Sequence, residues 1–535
     1  MKKTFKGFAV CAALLAFFCS YAAPQEAEAL SSEQVAAEES LGGQAQEAAE
    51  NVPPAKEKKA KKEKPAKQKK EKPKKEKAAK APKEKKSKPV KKAKFNQAAY
   101  DAAFEKGDYD TCVGMLAGRG DKEDLVRDLL DADMLMYLSD NYQGAGKGFL
   151  DTYAKMQLLS SQMKGGEATK AALSNEMNTK YGGAEYERYL AWSMRLASAL
   201  NMDKSDVANG IMKDYVGTFM QEIQELRAKN AEMEAASEKS LEGDEFKNAQ
   251  QKLANSGVKM SFSEKPKKSG LKYENSPFFN YLGTVAYAAS GDFDHAQEFG
   301  ELYKVPQADG IVKIPSGKGR LEIVALSGTI GRRADSSEGK KADVVYLPLP
   351  DLNMQIPLYT KVAYPVFNPD AQKHAIKGVR ILLSNGLSAR GELIEDFDNA
   401  VLIDVAQKAP GAYSRSVFRN VVKNSVVSAS VVAAGIALNE ASKTSKIAAV
   451  VAQVAFNASV EAAANAVANK ERADTRQALY FPNLASAAGF AVEPGTYNVT
   501  VEYLDAAGKV LETKTVQNVS VAQGKVTARV LTCEK

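Results

Sequence analysis

Residues 95–115 read FNQAAYDAAFEKGDYDTCVGM, and this stretch is the one from which the predicted fold follows. Tyr100 and Phe104 are four positions apart, so they lie on one face of a helix. Gly107 can adopt the positive φ that ends a helix, and Cys112 is a small residue in the segment that follows. The pattern is typical of two short antiparallel helices joined by a Gly-Asp turn.

Similar features recur further along the chain. One copy has Leu282-Gly283, Tyr287, Gly291-Asp292-Phe293, Ala296 and Phe299, and a looser one has Leu130, Met134, Tyr137, Asn141-Tyr142, Ala145 and Phe149. These copies resemble tetratricopeptide repeats, which stack and leave a concave groove. We therefore expect residues 95–309 to form a tetratricopeptide-like α-helical solenoid that binds a protein partner, with Tyr137 and Tyr287 facing the groove. The alternative is that the hairpins only pack on the C-terminal part.

Two further helices are expected in this part, at Ala184–Leu200 and Lys213–Glu238. Residues 310–535 favour a β-rich domain because β-branched and aromatic runs are bounded there by Gly, Pro and Asn. The expected strands are Lys318–Leu326, Val344–Leu349, Val379–Leu383, Val401–Val405 and Thr496–Tyr503, followed by a hairpin of Lys514–Val521 and Lys525–Leu531. The predicted fold class is therefore α+β.

An Ala-rich insert interrupts the strands. Tyr413–Ala478 contains no Pro and is expected to form two or three helices. Val426–Leu438 and Ile447–Ala468 are dominated by small apolar residues, so membrane insertion is one interpretation. Polar residues interrupt both runs, and a closely packed helical hairpin is the preferred interpretation.

The chain resembles a family of bacterial lipoproteins with tetratricopeptide-like repeats. The motifs that carry the resemblance are Ala473-Asp474-Thr475-Arg476, Phe481-Pro482 and Glu493-Pro494-Gly495-Thr496-Tyr497. The chain departs from the family at Ala478, where the family usually has Trp. The resemblance implies a location in the cell envelope and a role in interactions, but no reaction.

Charged residues of the C-terminal part form a second candidate site. Asp474 and Arg476 can pair with basic or acidic side chains elsewhere in this part. The members of this predicted network are Glu395, Asp396, Arg415, Arg419, Asp474 and Arg476. Such a cluster could bind a ligand, but the preferred interpretation is a structural network that locks the insert to the sheet.

The N-terminus has the pattern of an export signal. Three lysines precede the apolar run Phe8–Phe18, and Ser20-Tyr21-Ala22 places small residues for cleavage after Ala22. Residues 1–22 are therefore predicted to be a signal peptide, and the protein is expected in the periplasm or outer membrane. Lipidation at Cys19 is a second option, although Phe18 departs from the lipobox pattern. An uncleaved anchor is a third.

Residues 23–94 are expected to be a disordered linker. Seven Glu lie between residues 24 and 51, and 21 Lys with five Glu lie between residues 55 and 94. Repulsion between like charges keeps such a segment extended. It could touch anionic envelope polymers or act as an inert spacer. Because the positive charge belongs to this tail, a nucleic-acid-binding function is not expected.

No pattern of catalytic residues stands out. His295 and His374 are the only histidines, and no HExxH, GxSxG or CxxC motif occurs. No cofactor and no metal are therefore expected. Cys112 and Cys533 could form a disulfide in an oxidising compartment, although small buried thiols are the preferred interpretation.

The sequence thus predicts a non-enzymatic, exported scaffold or adaptor. The alternatives are an envelope hydrolase that acts on cell-wall polymer and a module that associates with membranes.

Overall fold

The computed structural model describes residues 95–119, 124–162, 177, 180–350, 353–368, 375–442 and 471–534. The predicted signal peptide, Cys19, the linker, His374 and residues 443–470 lie outside the described residues. The second apolar run of the insert, Ile447–Ala468, lies outside them as well.

Helices are the main elements among the described residues between 95 and 313. The predicted first hairpin is confirmed, since Asn96 Oδ1 accepts a hydrogen bond from Ala99 N (3.2 Å) at its start and Gly107 has a φ of 71° at its turn. The two further helices are also present, at Glu185–Asn201 and Met220–Lys239, and a π-helical turn at Tyr215–Phe219 leads into the second. The helices are α1 (Gln97–Glu105), α2 (Tyr109–Arg119), α3 (Leu125–Leu138), α4 (Tyr142–Ser161), α5 (Glu185–Asn201), α6 (Ser205–Asp214), α7 (Met220–Lys239), α8 (Asp244–Asn255), α9 (Pro277–Ala289), α10 (Phe293–Leu302), α11 (Ala308–Val312) and α12 (Phe397–Ser442).

Strands dominate the part of the chain after residue 318. They form two four-stranded sheets, ordered β12-β1-β9-β8 and β11-β10-β6-β7, and two separate pairs, β2-β5 and β3-β4. The strands are β1 (Gly319–Ser327), β2 (Arg332–Asp335), β3 (Asp343–Leu349), β4 (Met354–Thr360), β5 (Pro365–Asn368), β6 (Gly378–Leu383), β7 (Ser388–Arg390), β8 (Glu392–Asp396), β9 (Leu484–Val492), β10 (Gly495–Leu504), β11 (Val510–Val521) and β12 (Val526–Cys533). The mixture of helix and strand confirms the α+β class.

Strand β1 lies at the centre of three layers. All nine of its residues are buried, because alternate side chains of a strand point to opposite faces of a sheet. Leu321 and Ile323 pack against the second sheet, and Val324 and Leu326 pack against the helices. The helices and the first sheet therefore share one continuous hydrophobic core.

A smaller hydrophobic cluster lies apart from this core. Phe246 and Leu253 of α8, Leu347 of β3, Leu358 of β4 and Phe418 of α12 all belong to it. The inner face of the β3–β4 hairpin is therefore buried against two helices.

Three sequence predictions for the C-terminal part are wrong. Val401–Val405 belongs to helix α12 because buried residues recur there at helical spacing, with Leu402 42% exposed between the buried Val401 and Val405. The predicted hairpin near the C-terminus does not form, since β11 pairs with β10 and β12 runs parallel to β1. The predicted helical insert begins at Phe397 rather than Tyr413, and residues 471–478 are not helical.

No helix among the described residues is both long enough and apolar enough to cross a membrane.

Candidate functional site

The two tyrosines predicted to face a docking groove are buried. Tyr137 is 2% exposed, and its hydroxyl donates a hydrogen bond to Val530 O (3.0 Å) in β12. Tyr287 is 6% exposed and packs against Phe299 and the ring of His295. The prediction that these rings line an open surface is therefore wrong, and the helical face that carries Tyr137 contacts the chain's own sheet.

An asparagine side chain completes this contact at the edge of the first sheet. Asn201 Nδ2 donates to Val530 O (2.9 Å), and Val530 N donates to Asn201 Oδ1 (2.7 Å). The amide thus bonds to both backbone groups of one residue, as a neighbouring strand would. Arg529 also pairs with Asp203 (2.7 Å) beyond the end of α5. Strand β12 is consequently covered where it meets the helices.

The residues of the predicted charge network belong to separate groups of contacts. Glu395 accepts hydrogen bonds from Ser276 Oγ (2.5 Å), Phe278 N (2.8 Å) and Tyr273 Oη (3.0 Å), so it caps the start of α9. Burial raises the pKa of Glu395 to about 7, although these hydrogen bonds oppose the shift. Asp396 Oδ1 accepts from Asp398 N (3.1 Å) at the start of α12.

Arg415 and Arg419 bond to residues that the predicted network does not include. Arg415 donates to Ser237 Oγ (2.6 Å), and Arg419 Nε donates to Glu471 (2.8 Å), a residue that the sequence did not single out. Asp474 and Arg476 pair with each other at 2.8 Å. Among the described contacts, Asp474 and Arg476 pair with each other, and the predicted pairing with Arg415, Arg419, Glu395 or Asp396 stays a prediction.

Asp474 and Arg476 belong to an extended segment, residues 471–483, that we call the strap. Ala473 N donates to Asp335 Oδ2 (3.0 Å), Ala478 N to Glu187 Oε1 (2.7 Å) and Leu479 N to Asp131 Oδ1 (2.6 Å). Burial raises the pKa of Asp131 to about 8. Because acidic side chains from helices and from β2 hold its backbone, the strap joins the helices to the sheets and has a structural role.

Acidic residues do not converge on the pocket that opens between α8 and α12. Its volume is about 340 Å³, and its lining consists of Lys252, Asn255, Ser256, Ser425, Ala429, Val432, Ala433 and Ile436. This lining contains no carboxylate or imidazole that could act as an acid or base. Within the described ranges, no group of three or more His, Cys, Asp or Glu side chains is arranged to hold a metal.

A different surface emerges at the β3–β4 hairpin, where the register shows which backbone groups point outward. Val344 lies opposite Tyr359, and Tyr346 lies opposite Pro357. Tyr359 O accepts a hydrogen bond from Asn424 Nδ2 (3.1 Å), so its carbonyl points away from β3. Antiparallel pairs alternate between those that bond to each other and those that point outward. The backbone groups of Val344 and Tyr346 therefore point away from β4.

Two prolines support this assignment of the register. Pro348 lies opposite Gln355 and Pro357 lies opposite Tyr346, so both occupy outward positions. Proline has no N–H and is tolerated in a strand only where no ladder hydrogen bond requires one.

Helix α12 covers the outer edge of β4. Asn424 donates to Tyr359 O in β4 (3.1 Å). Just beyond the strand, Asn420 bonds to Lys361 N (3.1 Å) and O (2.9 Å), and Ser416 Oγ accepts from Ala363 N (3.0 Å). Four residues of a helix rise about 6 Å. Two residues of a strand rise about 6.6 Å, so side chains at every fourth helical position can follow the strand.

The outer edge of β3 is open by contrast. Within the described residues, the backbone N–H and C=O groups of Val344 and Tyr346 have no partner beyond the hairpin. Their side chains are 41% and 56% exposed and lie on the same face. Exposed edge strands usually carry charges that discourage pairing, as Lys514 does on β11. We name Val344, Tyr346 and the backbone between them the open edge.

The composition of Val344–Leu349 predicts a strand there, but it does not indicate that the edge of this strand is open. The alternation of Val344, Tyr346 and Pro348 with the buried Leu347 and Leu349 is visible in the sequence, but the partner of a strand is not.

Comparisons with known proteins found no relationship. No protein-family model matches the chain, and neither a curated protein nor a solved structure is similar to it. The resemblance to lipoproteins with tetratricopeptide-like repeats stays a prediction.

Proposed function

We propose that this protein is an exported scaffold of the cell envelope that binds an extended segment of a partner protein at the open edge. The single observation that carries the proposal is the unpaired edge of β3 with Val344 and Tyr346 exposed beside it. An added strand would bond to the outward backbone groups, and its alternate side chains would pack on Val344 and Tyr346. The N-terminal signal pattern supports export.

The contrast between strand edges supports the choice of this surface. Asn201 covers β12 and Asn424 covers the end of β4, so the fold uses side-chain amides to close edges elsewhere. Inner residues of β3, such as Leu347, are fully buried, so the strand is fixed in place before any partner arrives. A preformed strand costs less conformational entropy on binding than a segment that must first become ordered.

The helical part is proposed to be a tetratricopeptide-like array that supports the sheets. Its support is the pairing of consecutive helices, with Gly107 and Gly291 at positive φ in corresponding turns. In this proposal the face that such arrays usually offer to partners is occupied by strand β12, so binding takes place on the hairpin instead.

Site-specific photocrosslinking in cells tests the proposal. A photoreactive amino acid in place of Val344 should trap one discrete protein, and the same amino acid in place of Thr513 on β11 is the control. Tyr346→Pro removes an outward N–H that β4 does not use, so it should abolish the crosslink. Tyr346→Phe keeps that N–H and the ring, and it should preserve the crosslink.

Three outcomes would contradict the proposal. The first is trapping of a second copy of the chain, which would make the open edge a dimer contact. The second is equal trapping from positions 344 and 513. The third is a crosslink that survives Tyr346→Pro while circular dichroism shows an unchanged fold.

A further inference from the structure

A long segment without helix or strand connects α8 to α9. It spans residues 256–276, and every residue in it is described. Its backbone is held at several places: Gln407 Nε2 donates to Leu271 O (2.7 Å), Arg227 donates to Tyr273 O (2.8 Å), and Tyr413 Oη donates to Ser263 O. These contacts use backbone carbonyls, and the side chains of Lys265, Lys267, Lys268, Leu271 and Lys272 are exposed to solvent.

The outer part of this segment is basic. Lys265, Lys267, Lys268 and Lys272 are all exposed. Lys265 pairs with Glu238 at 3.2 Å, whereas the other three have no acidic partner within the described structure. These four lysines lie within eight residues of the chain, and like charges repel one another, so the cluster gains from an anionic ligand.

A large apolar side chain projects from the same place. Leu271 is 60% exposed, and its N–H donates to Ser269 Oγ (3.0 Å) in the turn that presents it. Gln407 bonds to Leu271 O, and Arg227 bonds to Tyr273 O two residues later, so the backbone is held at Leu271 and just after it. A single exposed leucine is ordinary, but one between Lys268 and Lys272 combines the two features that a lipid surface recognises.

We propose that residues 265–272, which we name the basic turn, bind an anionic membrane surface. Lys267, Lys268 and Lys272 would contact lipid phosphates, and Leu271 would enter the boundary between head groups and acyl chains. This site is separate from the open edge, so it can succeed or fail independently of the proposed partner binding.

The basic turn also fits the sequence of the tail. Stable attachment of a peripheral protein generally needs two weak signals. The 21 lysines between residues 55 and 94 could provide one, and the basic turn the other. For this reason the test uses the full chain throughout and changes only the folded part.

Vesicle flotation measures the electrostatic contribution. Full-length protein should float with vesicles that contain phosphatidylglycerol and much less with pure phosphatidylcholine. Replacing Lys267, Lys268 and Lys272 by Ala should weaken binding at least about tenfold, since each lysine near an anionic surface contributes roughly fivefold. The matched control replaces Lys247, Lys509 and Lys514, which removes the same charge from other exposed positions.

A fluorescence reporter measures insertion. Trp192 is the only tryptophan and is 4% exposed, so it should give the same emission with and without vesicles. Leu271→Trp should add a second component to the tryptophan emission, which shifts to the blue on anionic vesicles and stays unshifted with soluble polyphosphate. Leu271→Ser should weaken flotation several-fold.

The inference is overturned if the control triple variant loses as much binding as the variant of the basic turn. It is also overturned if the Leu271→Trp variant floats without a blue shift, because the turn would then take up any polyanion. Failure of crosslinking at the open edge would leave both measurements unaffected.

Discussion

The contact between Asn201 and strand β12 provides a quantitative test of how the helices and the sheet are joined. Val530 is 1% exposed, its N–H donates to Asn201 Oδ1 (2.7 Å), and its carbonyl accepts from both Asn201 (2.9 Å) and Tyr137 (3.0 Å). Asn201→Leu keeps the branching of the side chain at Cγ, adds some volume and removes the amide. The N–H of Val530 then loses its acceptor, whereas its carbonyl keeps the tyrosine.

The expected cost follows from this asymmetry. A buried donor without a partner costs about 1–3 kcal/mol, and loss of one of two donors to a carbonyl costs about 1 kcal/mol or less. We therefore expect Asn201→Leu to lower the free energy of unfolding by about 2–3 kcal/mol and Tyr137→Phe by about 1 kcal/mol. Because both side chains bond to the same carbonyl, the double variant should differ from the sum of the single variants.

Urea denaturation followed by circular dichroism measures these differences. Asn248→Leu on the exposed face of α8 is the control, and its effect should stay within about 0.5 kcal/mol. The reasoning is refuted if Asn201→Leu is as stable as the wild type or if Tyr137→Phe costs more than Asn201→Leu.

Three further predictions concern buried titratable and charged groups. Burial raises the pKa of Asp131 from an ordinary 3.8 to about 8. Between these two pH values the carboxyl is protonated in the folded state and ionised in the unfolded state, so the free energy of unfolding falls as pH rises. Asp131→Asn can still accept the hydrogen bond from Leu479 N. In urea titrations, the free energy of unfolding of this variant relative to wild type should rise by more than about 1 kcal/mol between pH 5 and pH 8. Arg419→Met removes the arginine that pairs with the buried Glu471 carboxylate, and in the same assay it should lower the free energy of unfolding by about 3–5 kcal/mol. Methionine at both positions removes the buried charge as well and should restore most of this stability. Burial raises the pKa of the Cys112 thiol, which is free, so iodoacetamide should modify it in urea but not in the native protein; equal rates would contradict its burial.

Local sequence patterns predicted the elements better than their partners. The hairpin around Gly107 and the helix that contains Trp192 follow from helical spacing and turn residues, which act within a few positions of the chain. The strand at Lys318–Leu326 follows from its composition. The misplaced hairpin near Gly524 shows the limit, because alternation fixes which face of a strand is buried but not which strand lies beside it.

The candidate sites were harder to predict for the same reason. The sequence singles out Tyr137 and Arg419 for other contacts than those they make, because their partners Val530 and Glu471 are distant in the chain. Val401 was assigned to a strand because it is β-branched, although tertiary packing places it in a helix.

Closed and open strand edges together give the strongest physical argument about function. Asn201 and Asn424 each use a side-chain amide to bond to backbone groups of an edge strand, and each belongs to a helix packed beside that strand. A buried backbone group without a partner is costly, so such covers stabilise the fold. The outward backbone groups of β3 have no such cover within the described residues, and they lie beside exposed apolar side chains. A strand fixed on its inner face and unpaired on its outer edge is a surface that another extended chain can complete, and this is the physical basis of the proposed binding.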